Sequence, residues 1–158
     1  MDPCHEDVIH IGLTSQPLDI AAITQSVTRP RGGAISTFLG TTRDSFEGKE
    51  VIALEYEAYD AMALKEMRKI ALGVFERYGG RESITAVAIS HRIGLVPIGE
   101  SSVIIAVGSV HRKPGLEACA WAIDELKATV PIFKKEVYAD GSMWKQNQEF
   151  TVRRQLQP

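Results

Sequence analysis

Apolar positions along this chain follow two rhythms, one of period two and one of period 3.6, and these divide it into strands and helices. Residues 8–13 are a short, branched apolar run that ends at Thr14-Ser15-Gln16-Pro17, which reads as a strand and then a turn opening a helix. Over residues 18–27, Ile20, Ile23 and Val27 recur at helical spacing until Pro30 stops the pattern. Residues 33–40 read as a buried strand, 41–49 as a polar loop and 51–58 as another strand, a pair suited to a long-looped hairpin. From 60 to 78, Leu64, Met67, Ile70, Ala71, Val74, Phe75 and Tyr78 share one helical face, with Asp60 placed to cap its start and Gly79-Gly80 its end.

Two more strands, 83–93 and 101–110, flank Gly94-Leu95-Val96-Pro97-Ile98-Gly99-Glu100, where glycine and proline mark a bend. A helix is predicted over 114–130, opened by Pro114 and ended by Pro131, followed by a strand over 132–139 and a turn at Asp140-Gly141-Ser142. Paired strands between helices predict an α+β fold, with a mixed, largely antiparallel sheet and about three helices. Residues 8–150 read as a single compact domain, 1–7 as a flexible N-terminus and 151–158 as a polar tail that frays.

Composition then removes whole classes of function. Eighteen Lys and Arg against twenty Asp and Glu leave no overall basic field for nucleic acid, so any anion site is local. The two cysteines, Cys4 and Cys119, match no zinc or redox spacing, which implies a reducing compartment and no metal. The N-terminus has no apolar signal region, and the longest apolar run, 103–110, is too short to span a bilayer, so a cytosolic protein is expected. Phosphate-loop, dinucleotide, zinc-protease and nucleophile-elbow signatures are all missing.

Four features could carry chemistry. On a helical wheel of the last helix, Lys127 falls about 20° from Leu116, within the apolar stripe of Leu116, Ile123 and Val130. A lysine there either faces a partly dehydrated pocket as a base or nucleophile, or covers apolar surface with its stem near the helix end. His111-Arg112-Lys113 places cations where a strand meets a helix N-terminus, either an anion site or a solvated basic loop. Arg43, following Thr41 and Thr42, offers a guanidinium with two hydroxyls. Lys134 and Lys135 sit in a strand whose alternation sends them to opposite faces. Cys119, on the apolar side of its helix, reads as buried packing, and Trp121 and Trp144 as packing or interface residues.

Phe38-Leu39-Gly40-Thr41-Thr42-Arg43, Leu54-Glu55-Tyr56-Glu57-Ala58-Tyr59, His91-Arg92-Ile93-Gly94, Ser109-Val110-His111-Arg112 and Asp124-Glu125-Leu126-Lys127 through Pro131-Ile132-Phe133-Lys134-Lys135-Glu136 closely resemble the catalytic, large subunit of molybdopterin synthase. The resemblance spans residues 8–149 and implies an α/β-hammerhead-like fold. It implies sulfur transfer to cyclic pyranopterin monophosphate (precursor Z), making the dithiolene of molybdopterin. The donor it implies is the Gly-Gly thiocarboxylate of a small ubiquitin-like partner, in a heterotetramer built on a homodimer of the large subunit. No cofactor is implied. Carried over block by block, Lys127 and Lys134 take the family's essential lysine positions, and Arg43, His111 and Arg112 its substrate contacts. Lys134 is thereby preferred to Lys135 for a place beside Lys127, while Lys135 and Glu136 complete the pocket edge. Gln148 stands where some relatives carry a basic residue that reaches across the dimer, a role open to Lys145.

Two other readings use the same residues. In one, His111, Arg112 and Arg43 hold a phosphorylated ligand without turnover. In the other, a lysine forms a Schiff base with a phosphorylated carbonyl compound, which borohydride would trap.

Overall fold

The computed structural model describes residues 7–146. The expected N-terminal segment before Asp7, the tail 151–158 and Gln148 lie outside the described residues, as do the side chains of Trp144 and Lys145.

Two sheets build the domain. The first has the order β1 (Ile9–Thr14), β5 (Ile84–Arg92), β7 (Ser101–Ser109), β2 (Ala34–Thr41), with β1 parallel to β5 and the other pairs antiparallel. Its central strands are buried because they present apolar side chains on both faces: Val87 pairs with Val107 and Ile89 with Ile105, alternating with Ala86, Ala88 and Ala106. Helix α2 (Asp60–Arg77) packs across β1 and β5, and α3 (Arg112–Thr129) across β2 and β7. A short helix, α1 (Ile20–Ser26), is capped by the Asp19 carboxylate, which accepts from the Ala22 N–H at 3.1 Å.

The second sheet centres on β4 (Lys49–Ala58), which pairs with β3 (Ser45–Phe46), β6 (Gly94–Pro97) and β8 (Ile132–Tyr138), with β9 (Met143–Gln146) beyond β8. The α+β class, the three helices and the mixed sheets match the expectation.

Several local expectations do not. Strands β2 and β4 are not a hairpin: β2 pairs with β7 in the first sheet and β4 with β8 in the second. The polar loop contains β3, closed onto β4 by a tight turn with Glu47 and Gly48 at φ of 48° and 78°. The Gly94–Pro97 segment is β6, because Gly94 at φ 82° turns the chain sharply out of β5 and across to β4. Tyr59 occupies the cap of α2 and Asp60 its first turn, where a carboxylate favours the helix dipole. His111 caps α3, so Pro114 is its third residue rather than its first.

The face that α3 buries also differs. Its buried residues are Gly115, Ala118, Cys119, Ala122, Leu126 and Ala128, whereas Leu116 is 59% exposed. Small residues bring the helix close to the sheet: a methyl group on Gly115 would come within 2.6 Å of Ser109 Oγ and 2.8 Å of Ser36 Oγ. Close approach therefore selects the small side chains for the interface, and the bulkier stripe becomes the flank.

Candidate active site

That rotation puts Lys127 in solvent at the helix rim, not inside a buried stripe. The flank it shares with Ile123 and Val130 forms one wall of a cleft of about 710 Å³. Strands β4 and β8 form the floor. Tyr56 lies opposite Lys134 and Leu54 opposite Glu136, so strict alternation aims all four at the cleft. The third wall comes from β2 and the loop after it, where the pairing register breaks between Gly40 and Thr41. A bulge of this kind re-aims side chains, and Thr41 and Arg43 both line the cleft.

The cleft thus gathers Thr41, Arg43, Lys127, Lys134 and Glu136. Glu136 is 2% exposed, and its Oε1 lies 3.6 Å from the Lys134 ammonium while Oε2 has no hydrogen-bond partner. The pair compensates charge without a close hydrogen bond.

Four predicted residues stand elsewhere. Thr42 points away from the cleft, is buried, and donates from Oγ1 to the Val96 carbonyl at 3.2 Å. Lys135 projects from the opposite face of β8, where its ammonium donates to Glu57 at 3.0 Å, so it forms no part of the cleft edge. That carboxylate raises its pKa. His111 and Arg112 line a separate hollow with Lys113 and Leu116 at the start of α3. Lys127 lies fifteen positions beyond Arg112, about 22 Å along the helix axis, and within one chain the two line different hollows.

Cys119 is buried as expected. Its thiol donates to the Ser36 carbonyl at 3.2 Å, and burial pushes its pKa up to about 12, so it supplies no thiolate at neutral pH.

The MoaE protein family model matches residues 13–129. The chain belongs to the MoaE protein family. Among MoaE relatives, it is 50% identical over 139 residues to the Homo sapiens protein named molybdopterin synthase catalytic subunit, covering 88% of this chain and 72% of that protein. With the protein of that name from Culex quinquefasciatus it shares 49% over 146 residues, 90% of each. The molybdopterin synthase crystal structure from Staphylococcus aureus superposes with a TM-score of 0.77 at 33% identity, covering 88% of this chain and 95% of that one.

Two residues of the MoaE cleft, Tyr56 and His91, were given no role from sequence although both line it. Their rings meet edge to face with centroids 4.9 Å apart. Burial raises the Tyr56 pKa, a hydrogen bond with Ser102 opposes this, and Glu136 adds to it, so the phenol stays neutral. Burial likewise lowers His91 to about 4, opposed by a hydrogen bond with the Arg92 carbonyl at 2.7 Å. Since that carbonyl can only accept, Nδ1 carries the proton and Nε2 is bare. The signal for Tyr56 was its two-residue offset from Leu54, legible only once β8 is known to pair with β4.

A neutral, buried His91 has a consequence for stability. Its pKa is lower folded than unfolded, so the unfolded chain binds the extra proton. Its contribution is intact above pH 6.5 and is lost as pH falls towards 4, amounting to roughly 3 kcal/mol in full. Urea unfolding of the wild type and His91→Leu, compared from pH 7 to 4.5, reads this directly. The wild type loses stability more steeply, and parallel curves would contradict a neutral histidine.

Proposed function

We propose that this chain is the catalytic subunit of a molybdopterin synthase, transferring sulfur to cyclic pyranopterin monophosphate from the C-terminal thiocarboxylate of a small ubiquitin-like partner. The single observation that carries this reading is a cleft whose described lining gathers two lysines and an arginine and holds no cysteine. Cations that can bind an anion and move protons are present, while Cys119 cannot act as the sulfur nucleophile. Among the described residues no cysteine supplies the sulfur, and the names of the relatives, which denote one subunit of a synthase, fit a partner that brings it.

In this reading Lys127, exposed at the rim, meets the incoming tail and polarises or shuttles protons at the attacked carbon. Lys134, held by Glu136, supplies positive potential from the floor. Thr41 and Arg43 contact the substrate at the mouth. His111 and Arg112 grip its phosphate, and the distance along α3 favours their doing so from a second copy of this chain, as a homodimer within a heterotetramer would allow. Thr42 and Lys135 serve from outside the cleft, Thr42 by fixing the loop that carries Arg43 and Lys135 by pairing with Glu57. No described helix is long and apolar enough to cross a membrane, and we place the activity in the cytosol.

The reading is tested by supplying precursor Z with partner ending in a thiocarboxylate or in a plain carboxylate. Product from the first alone supports it. Ligand retention without turnover would favour a binding module, and a borohydride-trapped adduct on Lys127 would favour a Schiff-base enzyme. Within the active complex, Arg112→Ala is expected to raise KM about tenfold or more while kcat is kept, the pattern of a binding contact. A fall in kcat at unchanged KM would remove Arg112 from the phosphate site.

A further inference from the structure

We propose that Arg92 and Glu100 are positioning residues for the substrate-contact arginine, acting through the turn before β7 and the backbone of Thr42 to hold Arg43 in the cleft. The inference rests on the reading of Arg43 given above.

Arg43 is an exposed side chain on a loop, and by itself it has little to fix its direction. Its predecessor is held from three sides by one short segment. The Thr42 N–H donates to the Glu100 carbonyl at 3.1 Å, the Gly99 N–H donates to the Thr42 carbonyl at 3.0 Å, and the Thr42 hydroxyl donates to the Val96 carbonyl at 3.2 Å. Exposure alternates across this point, with Thr41 and Arg43 open to the cleft and Thr42 buried. Pinning Thr42 therefore sets the direction in which both neighbours leave the chain.

The pinning segment is itself anchored. The guanidinium of Arg92, at the end of β5, donates from Nη1 to Glu100 Oε1 at 2.9 Å, and Arg92 is nearly buried while Glu100 is half exposed. Gly99 makes the turn possible with φ of 78°, in the left-handed region. A methyl group added there would meet nothing within 4 Å, so the demand for glycine is one of backbone conformation and not of space. The chain of contacts runs from the rigid end of the central sheet, through Arg92, Glu100 and Thr42, to Arg43. It lowers the freedom that Arg43 must lose when the substrate binds.

The test uses the complete two-subunit enzyme, with Glu100→Gln made in the wild type and in an Arg43→Ala background. In the wild type, Glu100→Gln is expected to raise KM for precursor Z about fivefold to tenfold with kcat kept. In the Arg43→Ala background the same change adds less than about twofold, because the residue it positions is gone. Equal effects in both backgrounds, or an unchanged KM in the first, overturn the proposal.

Two further arms keep it separable from loss of folding and from the function reading. Gly99→Val is expected to reproduce the KM rise and Gly99→Asn to spare it, since asparagine tolerates the left-handed region. Equal damage from both would overturn the turn's role. Binding of precursor Z by calorimetry, with a carboxylate-ended partner so that no sulfur is transferred, gives the same four-way comparison without turnover. Coupled binding in an enzyme that makes no product when the thiocarboxylate is supplied would sink the function reading and leave this one standing. Absence of coupling, or an Arg43→Ala variant that binds as tightly as the wild type, would sink this one.

Discussion

Lys127→Ala is expected to lower sulfur transfer about 100- to 10,000-fold, the range for a lost acid–base group, while leaving the fold intact. The prediction separates function from stability because of where the lysine sits. Lys127 is exposed, in the last turn of α3, with no ion pair among the described residues. Its removal costs only its interaction with the helix dipole, about 0.3–1 kcal/mol, and the melting temperature should move by about 4 °C or less. Single-turnover assays on the assembled enzyme, with thermal unfolding of the same preparation, measure both. Retained turnover would remove Lys127 from the mechanism, and a large fall in melting temperature would show that it is structural.

Lys134→Ala should behave differently. Lys134 is the charge partner of Glu136, which is 2% exposed and has one oxygen already without a donor. Deleting the ammonium strands a buried carboxylate, and because Lys134 is itself 38% exposed the cost is discounted to about 1–3 kcal/mol. Glu136→Gln in the same chain should recover most of that stability without restoring activity, since the positive potential in the floor is still missing. A double-mutant cycle by urea unfolding, with turnover measured on each variant, tests the claim. A Lys134→Ala protein as stable as the wild type would mean that the pair does not hold the floor together, and recovery of turnover in the double variant would show that Lys134 serves only Glu136.

The contrast between these lysines also shows what was legible in the sequence. Alternation along β8 separates Lys134 from Lys135, and the structure puts one on the cleft floor and the other on Glu57. Period 3.6 locates α3 but misjudges its buried face. Hydrophobic patterning weighs bulk, whereas this interface is made close by Gly115, Ala118 and Ala122, and the bulky Leu116 is left exposed. The error mattered for Lys127, which is at the rim because its stripe is a flank. Strands β3 and β6 were hidden in a polar loop and a glycine–proline bend, since two- and four-residue strands carry too little periodicity to register.

The site was legible by residue type and not by distance. His111 and Arg112 look adjacent in purpose to Arg43 and the lysines, yet they stand at the far end of α3 in the same chain. Only the rise of the helix reveals that in a single copy they line different hollows. Tyr56 and His91 were invisible as site residues for a related reason: both reach the cleft through strand pairings distant in sequence, β4 with β8 and β5 with β7.

The central claim, that the sulfur comes from a partner's thiocarboxylate and not from this chain, is tested most directly by isotope. The partner would be prepared with a heavy-sulfur thiocarboxylate, mixed with this protein and precursor Z, and the product weighed by mass spectrometry. Both dithiolene sulfurs are expected to carry the label, and Cys119→Ala to give the same result. Unlabelled sulfur in the product, or its loss on removing Cys119, would contradict it.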